Sequence, residues 1–219
     1  MVEVVDPRSC RSCRLAESRR QVVLPDGARG GVMAVGEAPG AEEDQHGVGF
    51  FGLAGRNLDA AFAEAGVARS GYARANVVRC RPPENRAPAA DEVAACSGWL
   101  LEAIENFEPV VLLAVGHTAA DHLLSIGRTR YMRAVEDSVN RVEREVMGEG
   151  VGEVHLHGPT GLPVVMMPHT SPLAWNRTYE DPQGRRPRIR SLGTRAVRAA
   201  VELAHECRQY ERRKLEAES

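Results

Sequence analysis

Four short apolar runs dominate what this chain can become: "GGVMAVGE" (30–37), "YARANVVR" (72–79), "PVVLLAVG" (109–116) and "LPVVMMPH" (162–169). A strand with one wet face alternates apolar and polar residues, and these runs are mostly continuous. They must therefore be covered on both sides. Helical stripes lie between them. Leu58, Ala61, Phe62 and Ala65 share one helix face, as do Val93, Cys96, Leu100, Ile104 and Phe107. "HTAADHLL" starts a helix after the third run, and Ile189, Leu192, Ala196, Ala199, Leu203 and Tyr210 line a final one. Strand–helix alternation of this kind predicts a three-layer α/β/α sandwich around a central, mainly parallel four-stranded sheet.

At 219 residues and 43% hydrophobic, the chain suffices for one core, so a single domain over 1–219 is expected. Two stretches fit less well and read as insertions or loops, 128–158 and 174–190. Within the first, "YMRAVEDSVNRVEREVMGEG" suits either an amphipathic helix or a pair of edge strands around a glycine turn. The second contains "NRTYEDPQGRRPRIR", either a solvated loop or, through its arginines, a phosphate contact.

In parallel sheets ligands gather at the carboxyl ends of the strands. Those ends carry "GEAPG", Asn76, "GHTAA" and "PHTSPL" here. No apolar run reaches membrane-spanning length, and "MVEVVDPRSCRSC" lacks the order of a secretory signal. A cytoplasmic protein with reduced thiols and no membrane partner is the expectation. A net charge of −2 neither selects nor excludes nucleic acid, and Lys214 is the only lysine among the basic residues.

Cysteine spacing adds a second constraint. Cys10 and Cys13 form a C-x2-C pair among Asp, Arg and Ser, a poor core environment. Cys80 and Cys96 flank a loop rich in Arg, Pro and Asn that cannot bury itself. Four thiolates suit zinc or an iron–sulfur cluster in softness. Zinc ribbons generally use two tight pairs, whereas clusters accept one tight pair plus scattered cysteines. Cys207, four residues after Leu203, reads as a small core residue.

"GEAPGAEED", "GFFGLAGRNLD", "NVVRCRPPENRAP" and "PHTSPL", in that order and with these cysteine spacings, resemble the family 4 uracil-DNA glycosylases, the iron–sulfur branch of that superfamily. The resemblance runs from about Cys10 to Leu173. It implies excision of uracil flipped out of DNA, leaving an abasic site, by a monomer whose partner is uracil-containing DNA. It implies Phe50 as the ring that stacks on the base, with Phe51 the neighbour to test next. Asn76 would pair with O4 and N3–H of uracil and reject cytosine. His169 would donate to O2 as charge develops there. Glu37 would position water, next to Ala38 where another branch carries an aspartate. Gly36 and Gly40 would let backbone approach the base. Ser171 and Pro172 would clamp the phosphate backbone and Leu173 would fill the vacated hole. Cys10, Cys13, Cys80 and Cys96 would hold a structural 4Fe-4S cluster.

If the cluster staples the loop, Arg79, Arg81 and Arg86 should face outward, with Arg81 and Arg86 gripping DNA phosphates. Glu42, Glu43 and Asp44 read as a solvated acidic run, and His117 as a surface or capping residue. Val48-Gly49 and Thr170 depart from the family's Arg-Pro and proline, and the segment before the fourth strand is longer. The base range therefore extends in principle to another deaminated base. Two other classes stay open at this stage. A redox iron–sulfur protein leaves Phe50, Asn76 and His169 without a role. A non-turnover binder that bonds DNA through a histidine in an inserted loop finds no histidine between Asn76 and Cys96.

Overall fold

The computed structural model describes residues 6–148 and 154–218. The helices are α1 (Leu15–Ser18), α2 (Ala41–His46), α3 (Leu53–Glu64), α4 (Ala90–Phe107), α5 (His117–Leu124), α6 (Tyr131–Val146), α7 (Pro172–Trp175) and α8 (Ile189–Glu218). The strands are β1 (Val32–Gly36), β2 (Ala73–Asn76), β3 (Val111–Val115), β4 (His155–Leu156) and β5 (Pro163–Met167). They form one sheet in the order β2-β1-β3-β5-β4. The first four are parallel and β4 joins antiparallel at the edge. Helices α3 and α6 each pack on α8, which lies across β1, β3 and β5, while α4 lies against β2 and α5 against β3 and β1.

The expected sandwich is present, with one correction: the sheet has five strands. The fifth is a two-residue edge strand that follows α6, pairing His155 with Val164 and Leu156 with Pro163. Within the stretch 128–158, Tyr131–Val146 takes the helix reading and not that of paired edge strands. Val135, Val139 and Val142 recur at helical spacing, and burying them against β5 and α8 needs a helix. Gly148 follows at φ +69, and residues 149–153 lie outside those described. The 174–190 stretch is a loop closed by a bridge between Thr178 and Arg188. Arg185, Arg186 and Arg190 pair with Asp181, Glu180 and Glu64, which favours the solvated-loop reading over phosphate contact.

Strands β1 and β3 are buried along their whole length, as continuous apolar runs require. The other edge, β2, is shielded by the segment before β1. Asp26 bridges Arg74, and the Val23 amide donates to the Arg79 carbonyl at 2.8 Å. That covering removes an exposed row of strand hydrogen-bond groups. Among the described residues no helix is long and apolar enough to cross a membrane.

Helix α4 begins on a buried acid. The Glu92 carboxylate accepts from the Ala89 amide at 2.7 Å and from Arg86 at 2.6 and 2.8 Å. Arg14 adds a bond at 2.8 Å from the N-terminal segment. Hydrogen bonds from Arg86, aided by the amide and Arg14, outweigh burial and hold the carboxyl down at about 2. A depressed carboxyl favours the folded state above its unfolded value near 4.3, and the benefit is lost as pH falls towards 2. Glu92→Gln should therefore lower stability at neutral pH by about 2 kcal/mol and flatten the dependence of Tm on pH between 4.5 and 2. Thermal melts across that window check it.

Candidate functional site

The site forms where β1, β2, β3 and β5 end. Residue 36 faces Asn76 in the parallel pairing of β1 and β2, and the ladder continues as the Val77 amide donates to the Gly36 carbonyl. A Cβ on Gly36 would stand 2.5 Å from Asn76 Oδ1 and 2.6 Å from Phe50 Cζ. The missing side chain is what lets the amide and the ring approach the same space. Both line a cavity of about 300 Å³, with Glu37, Ala38, Gly40 and His169 also in its wall. Arg86, Thr170 and Ser171 reach it too.

His169 follows β5 by two residues. Its Nδ1 accepts the Ser171 amide at 3.0 Å, so the neutral ring carries its proton on Nε2. Protein surrounding the ring lowers its pKa below the ordinary histidine value, against the opposing pull of the Glu37 carboxylate. The imidazole is thus a neutral donor. Gly116, at the end of β3 with φ +92, makes room for it, since a Cβ there would lie 2.9 Å from His169 Cδ2. Asn57 of α3 donates to the Thr170 carbonyl at 2.8 Å and ties this loop down. Glu37 accepts a short hydrogen bond from the Thr118 hydroxyl.

The acidic run is corrected. Only Glu42 is exposed; Asp44 is 2% exposed and Glu43 is also buried. Glu43 accepts from the Gly40 amide at 3.0 Å and from the Phe51 and Gly52 amides at 2.9 Å each, joining two loops of the cavity wall. Asp44 accepts from the Arg20 amide at 2.9 Å. Glu43 stands at the third position of α2 and reaches back to the Gly40 amide, the half of a capping box that a glycine N-cap permits. Thr118 and Asn57 left no signal in the sequence, because their partners are remote in the chain.

Phe51 turns away from the cavity and stacks on His46 at 4.3 Å. Ser171 caps α7, Pro172 opens it, and Leu173 is 71% exposed beside the site. Trp175 is buried against Gly193, where a Cβ would overlap the indole, and this seats α7 on α8. His117 is not a surface residue: its ring meets Tyr131 edge-on at 5.4 Å, and its Nε2 is buried.

Cys80 and Cys96 are buried, Cys10 and Cys13 half-buried. The thiols are close enough to interact: those of Cys10 and Cys13 bear on Cys80, and those of Cys80 and Cys13 on Cys96. Burial pushes Cys96 up to about 11 and raises Cys80, the latter opposed by the Arg19 guanidinium 3.2 Å from its sulfur. Among the described residues no group of three or more His, Cys, Asp or Glu side chains is set to hold a metal ion. Cys207 is half-buried on α8 and packs against the core.

The arginines of the cysteine loop diverge. Arg79 does not face outward; it is 5% exposed, lies over the Trp99 ring and donates to the Trp99 carbonyl. Arg81 donates through Nε to Asn85 at 2.8 Å, while both terminal nitrogens of Arg86 are committed to Glu92.

An α/β sandwich with a pocket lined by an aromatic ring, an amide and an imidazole at the carboxyl ends of its parallel strands is the class that fold and site define. The family model described as the uracil DNA glycosylase superfamily matches residues 24–193. The chain belongs to that superfamily. It is similar to the type-4 uracil-DNA glycosylase of Pyrobaculum aerophilum, 41% identical over 120 residues, covering 54% of this chain and 61% of that one. A Thermotoga maritima protein of the same name is 42% identical over 122 residues, covering 54% and 64%. One from Archaeoglobus fulgidus is 32% identical over 157 residues, covering 70% and 78%. The chain thus spans somewhat over three fifths of the length of the first two relatives.

Gly36→Ala should leave the sheet intact and close the cavity between ring and amide. A crystal structure of the variant should show the Phe50 ring and the Asn76 amide displaced by about 1 Å from their shared space, beside an unchanged far-UV spectrum.

Proposed function

We propose that this chain is a monofunctional uracil-DNA glycosylase, a DNA repair hydrolase that accepts uracil extruded from DNA and cuts its N-glycosidic bond. The convergence of Phe50, Asn76 and His169 on one cavity carries this reading. Phe50 stacks on the base. Asn76 offers a donor to O4 and an acceptor to N3–H, a pairing cytosine cannot satisfy. As the bond from sugar C1′ to base N1 lengthens, its electron pair moves onto the base. The neutral His169 donates from Nε2 to O2, where that charge collects, and such a donor is worth about 3 kcal/mol. Glu37, held by Thr118, orients the water whose oxygen bonds C1′ and whose proton is released. Gly36, Ala38 and Gly40 keep the backbone close to the base.

Ser171 and Pro172 fit a clamp on the phosphate backbone, and the exposed Leu173 fits the space vacated by the base. Arg81 and Arg86 contribute phosphate contacts. Arg81 has more unengaged donors and so contributes more to the salt dependence. The redox reading leaves this cavity without a role, and the covalent-binder reading lacks a histidine between Asn76 and Cys96. We take residues 1–219 as one glycosylase-like domain acting as a monomer in the reducing cytoplasm, with uracil-containing DNA as its partner.

Cys10, Cys13, Cys80 and Cys96 would hold a 4Fe-4S cluster. The donor set suits it: four thiols near enough to bear on one another, with Arg19 and Arg79 beside them to offset thiolate charge. When bound it supplies the link between the N-terminal segment and the two ends of the 80–96 loop. Protein purified without oxygen should show visible absorbance and about four irons per chain, both lost in Cys80→Ser. A colourless protein holding one zinc would overturn the cluster.

The functional test is incubation with an oligonucleotide bearing one uracil, then alkali, which breaks the strand at abasic sites. Cleavage is expected with uracil and absent with cytosine; the same assay with hypoxanthine and xanthine sets the base range. His169→Ala should lose about 100- to 1,000-fold in the single-turnover rate. Because burial lowers the His169 pKa, its neutral donor form persists below the ordinary value of about 6.5. The acid limb of the wild-type pH–rate profile attributable to this ring should therefore fall below that value. No cleavage of uracil DNA at any pH would sink the proposal.

A further inference from the structure

Phe50 sits at φ 52, in the left-handed region where a bulky residue is strained unless its surroundings fix it. Two features hold its backbone. Gly55, in the first turns of α3, has no Cβ, and one there would overlap the Phe50 carbonyl. Arg69, in the short turn Arg69–Gly71, spans the two carbonyls that flank the Phe50 Cα. Its Nη2 donates to the Gly49 carbonyl at 2.7 Å and its Nη1 to the Phe50 carbonyl at 3.0 Å. Those carbonyls set the peptide planes on either side of Phe50, so fixing both fixes the direction of the ring.

The guanidinium is itself anchored. Both Asp59 carboxylate oxygens accept from it, at 3.0 and 2.9 Å. Asp59 also accepts the Tyr72 hydroxyl at 2.5 Å, and Tyr72 is fully buried, stacked on Phe62 at 3.7 Å. Burial and the Asp59 carboxylate raise the Tyr72 pKa, so the phenol stays a donor. Hydrogen bonds thus run from the core through Asp59 and Arg69 to the peptide planes around the stacking ring. An arginine suits the post because its planar fork reaches two acceptors at once, which an ammonium does with less geometric control.

We propose that Arg69, braced by Asp59, is a positioning residue that holds Phe50 in its strained conformation and so sets the stacking wall of the cavity. The assignment rests on the glycosylase reading for its effect on rate, and on the clamp geometry alone for its effect on the backbone.

The test combines two readouts on full-length wild type, Arg69→Met and Arg69→Lys. Amide hydrogen exchange is followed by mass spectrometry in the segment 47–53, with 111–115 as the internal reference, and uracil excision is measured under single-turnover and steady-state conditions. Arg69→Met should exchange faster in 47–53 alone, and its rate should fall about 10- to 100-fold with KM for DNA within about threefold. Arg69→Lys should fall between it and wild type. Wild-type exchange in 47–53 with a reduced rate and raised KM would overturn the clamp in favour of direct DNA contact. Faster exchange with an unchanged rate would overturn the link to the ring. Should Arg69→Met fail to fold, Arg69→Lys decides by the same criteria. If wild type excises no uracil, the functional reading falls, while the exchange data still decide whether Arg69 holds the loop.

Discussion

A single absent atom governs the site. Residue 36 lies opposite Asn76 in the pairing of β1 with β2, and the volume its Cβ would fill is where the Phe50 ring and the Asn76 amide come together. One side chain comes from the loop before α3 and the other from the end of β2, and they share this space only because β1 ends in glycine. His169 depends on the same device one strand further on, through Gly116 at the end of β3. The parallel sheet delivers three chain segments to one edge, and small residues at two strand ends keep that edge open.

Buried and half-buried carboxylates organise the surrounding loops. Glu43 joins the Gly40 loop to the Phe51–Gly52 turn, Asp44 holds the Arg20 amide, Glu92 gathers Arg86, Arg14 and the start of α4, and Asp59 braces Arg69. Each is matched by amide or guanidinium donors, which is the condition for burying charge without a large penalty. Loops this rich in glycine, proline and arginine have little apolar surface to pack. Directed hydrogen bonds give them a fixed shape instead, and the strained backbone of Phe50 persists because several such bonds converge on it.

How much of this was legible in the chain differs by the range of the interaction. Helices α3, α4 and α8 were readable from their stripes, and β1 and β3 from unbroken apolar runs, because periodicity is local. Strand β4 was missed: two residues are too few to carry a pattern, and the strand exists only through its pairing with β5. The acidic run misled because Glu43 and Asp44 look solvated until the Gly40, Phe51 and Arg20 amides fold over them. Arg79 misled in the same way, its outward reading reversed by Trp99 one helix away.

The sequence by itself determined the doubly covered sheet and the helical faces, since these follow from residue type and spacing along the chain, while the ring, amide, imidazole and thiols were singled out by the resemblance of their motifs to a known family. Only the tertiary structure decided that Phe50 rather than Phe51 faces the cavity, which proton His169 carries, and which charges are buried. Those outcomes turn on contacts between segments far apart in sequence, such as Arg69 with Gly49 and Asn57 with Thr170, and no local pattern encodes them.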